Sequence, residues 1–159
     1  MSKMSKLLFF FVSLIFFVMF DMYYSNVIMS NIENLPQNPV FDLIFVQNTG
    51  AAFSILENSK VFLITFSVCA ILGIIYYLVK HINKASGLAI FWTSLLVSGI
   101  FCNMWERITF GFVRDFFKLN FVNFPVFNIS DVFINISVFA IVIIIVKYNF
   151  ANKNNETSN

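Results

Sequence analysis

The sequence predicts an all-α polytopic membrane protein, with four transmembrane helices and a small extracytoplasmic β-hairpin or cradle. Three observations predict it. Apolar residues make up 59% of the 159-residue chain and charged residues 11%, against roughly 45–50% and about 25% in soluble globular domains. A soluble fold of this length cannot hide so much apolar surface. Apolar runs near residues 7–29, 61–79, 86–105 and 130–147 each approach the about 20 residues that a helix needs to cross a bilayer core. The lysines, finally, fall on alternate sides of those runs.

Taken in order, the first run follows Lys3 and Lys6 and contains one charge, Asp21. That start resembles a secretory signal, but "FDMYYSN" follows where a small-residue cleavage site belongs, so a retained span is expected. Residues 30–60 form a loop on the far side. Within it, "VFDLIFVQNTGAAFSIL" (residues 40–56) places two β-prone runs around Asn48-Thr49-Gly50, which reads as a hairpin on the outer surface. The second and third runs are joined by a short segment carrying Lys80 and Lys84. A second outer loop is expected over 106–129. The fourth run is long enough only if its helix begins near Asn128 or Asp131, which puts Asp131 at the membrane boundary. Residues 1–150 thus read as a single integral membrane domain, and the polar tail 151–159 as disordered.

Four spans put both termini on one side. Lys3, Lys6, Lys80, Lys84, Lys147 and Lys153 share it with a single acid, Glu156, whereas the other seven acids lie at the opposite end. The positive-inside bias makes the termini and the 80–87 segment cytoplasmic, and both longer loops extracytoplasmic.

Few residues are suited to chemistry. Cys69 and Cys102 sit in apolar runs without metal-ligand spacing and read as packing. His81 is the single histidine and lies at the cytoplasmic edge, which excludes an H-E-x-x-H zinc site and would place any Ser–His pair on the cytoplasmic side, away from every other polar cluster. What remains is a polar set at the outer ends of the spans. Asp21 and Ser25 are four apart on the first helix, and Asn103 and Arg107 four apart on the third, with Glu106 between them. Asn128, Asp131 and Asn135 form one stripe on the fourth, and Asp115 stands in the second outer loop. Ionisable groups in membrane helices cost about 2.5–3.5 kcal/mol at the centre and normally face a bundle interior or a wet cavity. The plainer alternative is interfacial anchoring and helix capping, with Asp131 capping its own helix. So many acids at one face favour a functional cluster.

These residues resemble the bacterial lipoprotein signal peptidase family, also called signal peptidase II. "NTGAAFSIL" is close to its N-x-G-x-A-F-S signature. "FGFVRDFF" resembles the segment holding its first catalytic aspartate, here Asp115, and "FPVFNISD" the segment holding the second, here Asp131. "NMWER" resembles its supporting N-x-x-D-R motif, and Asp21 matches an aspartate at the end of the first helix. Members usually have Asp at the position of Glu106, Ala at that of Ser130 and Lys at that of Ser25.

The resemblance implies a membrane aspartyl endopeptidase, a hydrolase that cuts diacylglyceryl-modified prolipoproteins just before the lipidated cysteine. Asp115 and Asp131 would be catalytic. Asp21, Asn48, Gly50, Asn103, Glu106, Arg107 and Asn128 would support the site or bind substrate. The expected partners are the lipidated signal peptide and membrane lipid, with no cofactor, metal or nucleic acid. Two carboxylates suffice in principle: held together out of water they cannot easily both ionise, so one accepts a proton from water while the other donates one. A catalytically impaired lipopeptide-binding relative, or a small transporter or channel subunit using the acids as an ion path, are the rival readings.

Overall fold

The computed structural model describes residues 1–35, 38–50, 56–57 and 59–157, with side chains described to Tyr148. Four helices and two strands follow one another in the order α1 (Lys3–Asn31), β1 (Phe41–Asn48), α2 (Lys60–His81), α3 (Gly87–Phe110), β2 (Val113–Leu119) and α4 (Ile129–Thr157). All four helices contain stretches long and apolar enough to span a membrane, the last over Ile129–Tyr148.

The centre of the bundle is α3, which packs against α1, α2 and α4. Its sequence explains this. Small residues (Ser94, Ser98, Gly99 and Cys102) lie along its buried side and let neighbouring backbones approach, the usual solution where lipid removes the hydrophobic drive between helices. The serine hydroxyls do not go unpaired: Ser94 Oγ donates to the Phe91 carbonyl and Ser98 Oγ to that of Leu95, both at 2.7 Å. By contrast α2 buries only Leu63 and Leu78 and turns Phe62, Phe66, Leu72 and Tyr76 outward, as a lipid-facing helix should. Phe17 of α1 meets Phe91 of α3 and Phe133 of α4 edge-on, at 5.4 and 5.6 Å between ring centroids, and so ties three helices together.

Gly99 marks the closest approach of α3 to α4. A Cβ there would lie 2.7 Å from the Ser130 carbonyl oxygen and 2.8 Å from Ile134 Cγ1. Overpacking of this kind costs about 1–3 kcal/mol, more than the up to ~1 kcal/mol that Ala gains over Gly in a helix. Gly99→Ala is therefore expected to lower the thermal midpoint in detergent, and to lower activity because Ser130 precedes Asp131. Gly73→Ala, where a Cβ meets nothing within 4 Å, should be neutral or slightly stabilising.

At one end of the bundle Lys6 Nζ donates to the carbonyls of Ile82 and Asn83, both at 3.0 Å. A cation there satisfies carbonyls left free at the end of α2 and opposes its dipole. The N-terminus and the α2–α3 connection therefore share an end. At the other end stands the sheet.

The first strand of the expected hairpin forms over Phe41–Asn48 and pairs antiparallel with β2, with Phe41 opposite Leu119 and Asn48 opposite Val113; residues 51–55, the rest of that hairpin, lie outside the described residues. Two sequence expectations need correction. First, the outer loop does not begin at 106: α3 continues to Phe110 and meets no Pro or Gly after Glu106 until Gly111. That residue takes φ 91°, in the left-handed region, and its N–H returns to the Arg107 carbonyl at 3.1 Å, a C-terminal cap suited to glycine. Glu106 and Arg107 are thus helical. Second, α4 runs on to Thr157, through the tail expected to be disordered, in a stretch without Pro or Gly to stop it.

Candidate active site

Four segments converge at the sheet end of the bundle. The strand β2 carries Asp115, which is 2% exposed. Its neighbour β1 contains a one-residue bulge between Leu43 and Val46, beyond which Val46 faces Asp115 and Asn48 faces Val113. Asn48 is then the diagonal, same-face neighbour of Asp115, and its Nδ2 donates to Asp115 Oδ2 at 2.9 Å.

The start of α4 brings Asn128 and Asp131. Asn128 Oδ1 accepts from the Asp131 N–H at 2.9 Å, while Asp131 Oδ2 accepts from the Asn128 N–H at 3.1 Å. This reciprocal arrangement is a capping box made from Asn and Asp. Asn128 is thus the cap, and Asp131 answers it from the first turn. The same Asn128 reaches across: its Nδ2 donates to Asp115 Oδ1 at 2.8 Å and to Asn103 Oδ1 at 3.1 Å. Asn103, on α3, completes the ring by donating to Asp131 Oδ1 at 2.9 Å.

Each carboxylate therefore has a donor on both oxygens, and Asn128 touches both carboxylates. Burial is the main cause that raises the Asp115 carboxyl, to about 7; the nearby Asp131 adds to the rise, and Asn48, Asn128 and Arg107 oppose it. Because the folded form holds this proton more tightly than an unfolded chain, the group favours folding at low pH. That contribution is lost as pH rises from about 4 towards 7.

The remaining sequence candidates stand around this ring. Arg107 donates through its terminal nitrogens to the Asn103 carbonyl at 3.1 Å and to the Gly50 carbonyl at 2.6 Å. It thereby ties the residues after β1 to α3, and Gly50 contributes a backbone oxygen. Asp21 is buried but does not touch the ring; its Oδ2 accepts from Ser130 Oγ at 2.6 Å, holding α1 to α4 one residue before Asp131. The hydroxyl at position 130 thus has a partner that alanine could not serve. Asn135, on the same stripe as Asp131, donates to the Asp131 carbonyl at 2.8 Å rather than to its carboxylate. Glu106 also stays outside the ring, paired with Arg114 at 2.6 Å.

Sequence reasoning missed Arg114 and Asn26, which meet at 3.0 Å. The signal for Arg114 was its place one residue before Asp115 on a strand. Asn26 left none. Among the described residues no group of three or more His, Cys, Asp or Glu side chains is placed to hold a metal ion.

This arrangement can be set beside known proteins. Residues 12–147 match the family model described as Signal peptidase (SPase) II. The chain belongs to the signal peptidase II family. Lipoprotein signal peptidase of Streptococcus thermophilus is 37% identical over 108 residues, covering 68% of this chain and 70% of that protein. The lipoprotein signal peptidase of Buchnera aphidicola subsp. Schizaphis graminum is 36% identical over 152 residues, covering 89% and 94%. Two solved structures of bacterial membrane enzymes superpose with TM-scores of 0.76 and 0.74, at 26% and 25% identity. Both cover 87% of this chain, and 87% and 92% of their own. Family membership and the four long apolar helices make this a multi-pass bacterial membrane protein, and they disfavour the transporter or channel reading.

Proposed function

We propose that this chain is a membrane aspartyl endopeptidase that removes signal peptides from diacylglyceryl-modified prolipoproteins, cutting just before the lipidated cysteine. The observation that carries the mechanism is the amide ring, in which Asn128 donates to Asp115 and caps the helix that bears Asp131. Two carboxylates held in one poorly solvated site share a proton most stably. The ionised member takes a proton from water as that water attacks the scissile carbonyl. The protonated member donates to the carbonyl oxygen and then to the departing amine. The pair acts as a unit, and its proton is not assigned to one residue. Asn48, Asn103 and Asn128 hold the carboxylate planes without supplying a charge that would discharge the pair.

The test is cleavage of a lipidated precursor by the purified protein in detergent, read by mass at the new N-terminus. A product beginning at the lipidated cysteine is expected, and intact precursor after many hours would reject the peptidase reading. The same assay has a pH signature. Burial raises the Asp115 carboxyl to about 7, so on the alkaline side the pair gives up its shared proton and kcat/KM should fall about tenfold per unit. A rate that stays flat from pH 6 to pH 9 would remove the dyad from the rate-limiting chemistry.

The site is further proposed to face the extracytoplasmic side, with both termini in the cytoplasm. Support comes from the six lysines at the termini and the 80–87 segment, and from Lys6 meeting Ile82 and Asn83 at the end away from Asp115. Single cysteines at Glu57 and Lys84, in a Cys69→Ala, Cys102→Ala background, check this. An impermeant thiol reagent applied to cells, with any outer membrane permeabilised, should label position 57 and spare position 84. The reverse pattern would invert the orientation.

A further inference from the structure

The strand β2 has β1 along one edge. Along its other edge, the Phe116 N–H donates to the Phe127 carbonyl at 3.0 Å, and the Arg114 N–H donates to Glu106 Oε2 at 2.7 Å. Asp115 lies between these two anchors. Glu106 does more than accept the backbone donor: its Oε1 receives Arg114 Nε at 2.9 Å and a terminal guanidinium nitrogen at 2.6 Å. The other terminal nitrogen donates to Asn26 on α1 at 3.0 Å, and the guanidinium sits 4.5 Å from the centroid of the Phe110 ring. Side-chain exposure is only 15% for Arg114 and 11% for Glu106. This is far from the solvated ion pair that contributes little, because a fork, a backbone donor and an aromatic face all bear on one carboxylate and one guanidinium.

We propose that Glu106 and Arg114 form one positioning unit that fixes the β2 backbone at Asp115. The physical need is plain. Between α3 and β2 the chain passes through Gly111, at φ 91°, a position that imposes little stiffness. The clamp closes across that turn and secures the strand one residue before Asp115. Successive strand side chains point to opposite faces, so Arg114 works from behind the strand, without touching the groups that meet substrate. The length of Glu106 is part of the device. An aspartate, shorter by one methylene or roughly 1.5 Å, could not serve both the backbone N–H and the fork from the same helical position. In this chain the longer acid is matched to Arg114.

The inference rests on the reading of Asp115 as a member of the catalytic pair, and the experiment separates the two. Full-length Arg114→Met, Arg114→Lys, Glu106→Gln and the double variant Glu106→Gln/Arg114→Met are purified and assayed with the lipidated precursor, beside Asp115→Asn. A site that needs placement within about 0.5 Å should lose about tenfold to thirtyfold in kcat in each single variant, with KM within about twofold. Lysine keeps the charge but lacks the fork, so Arg114→Lys should fall with the others and keeps the test open if methionine prevents folding. Because the two residues act as one unit, the double variant should be no slower than the slower single. Wild-type kcat in Arg114→Met or Arg114→Lys, a loss confined to KM, or multiplying losses in the double variant would each overturn the clamp. Should these variants keep wild-type kcat while Asp115→Asn is inactive, only the clamp fails. An active Asp115→Asn would instead fail the catalytic reading beneath it.

Discussion

Asp115→Asn and Asp131→Asn are each expected to reduce cleavage by at least about a thousandfold while the protein still accumulates in the membrane. A positioned acid or base contributes typically 10²–10⁴ in rate, and members of one catalytic unit lose most of it singly. Asparagine matches the shape of aspartate but cannot cycle a proton. Each Asp oxygen accepts from an amide or backbone N–H, so the substituted carboxamide can keep only part of that pattern. It can keep the fold better than the chemistry, because a neutral amide avoids the cost of an ionised carboxylate at this buried position, where burial raises the Asp115 carboxyl to about 7. Asp115→Asn should therefore be at least as stable as the parent chain at pH 8, read as the thermal midpoint in detergent. Near-parental cleavage by either variant would take that residue out of the mechanism.

The second large effect is expected at Asn128, which does two things at once. It caps α4 through the Asp131 N–H, and it donates to Asp115 at 2.8 Å. Serine and alanine separate these roles. Serine caps about as well as asparagine, whereas loss of a cap to alanine costs about 0.5–2 kcal/mol. The serine side chain is too short to reach Asp115. Asn128→Ser is thus expected to hold its thermal midpoint and lose about a hundredfold in kcat, since misplacement of about 1 Å at a catalytic group costs on that order. Asn128→Ala should lose similar activity and also melt earlier. If Asn128→Ser were fully active, the bridge between the carboxylates would be incidental, and the cap would be the residue's purpose.

The sequence by itself determined the four spans and the end of the bundle that holds the acids. Hydropathy and length are local properties, and a bilayer leaves a 20-residue apolar segment little choice but helix. It also singled out the polar residues of the site, because an ionisable side chain at a membrane boundary is costly enough to stand out in so apolar a chain. What it could not determine was partnership. Nothing local in "FDLIFVQN" chooses residues 113–119 as the partner of its strand. That choice depends on the bulge between Leu43 and Val46 and on the cap at Gly111, which bring β2 alongside. Nor does spacing separate the acids by role. Glu106 and Asp115 are nine positions apart and Asp21 is remote from both, yet only Asp115 shares an amide with Asp131's helix cap. Asp21 goes to Ser130, and Glu106 goes to Arg114. Hydrogen bonds reach about 3 Å, so which of several nearby carboxylates joins the ring is decided by strand register and helix packing, and those exist only once the chain has folded.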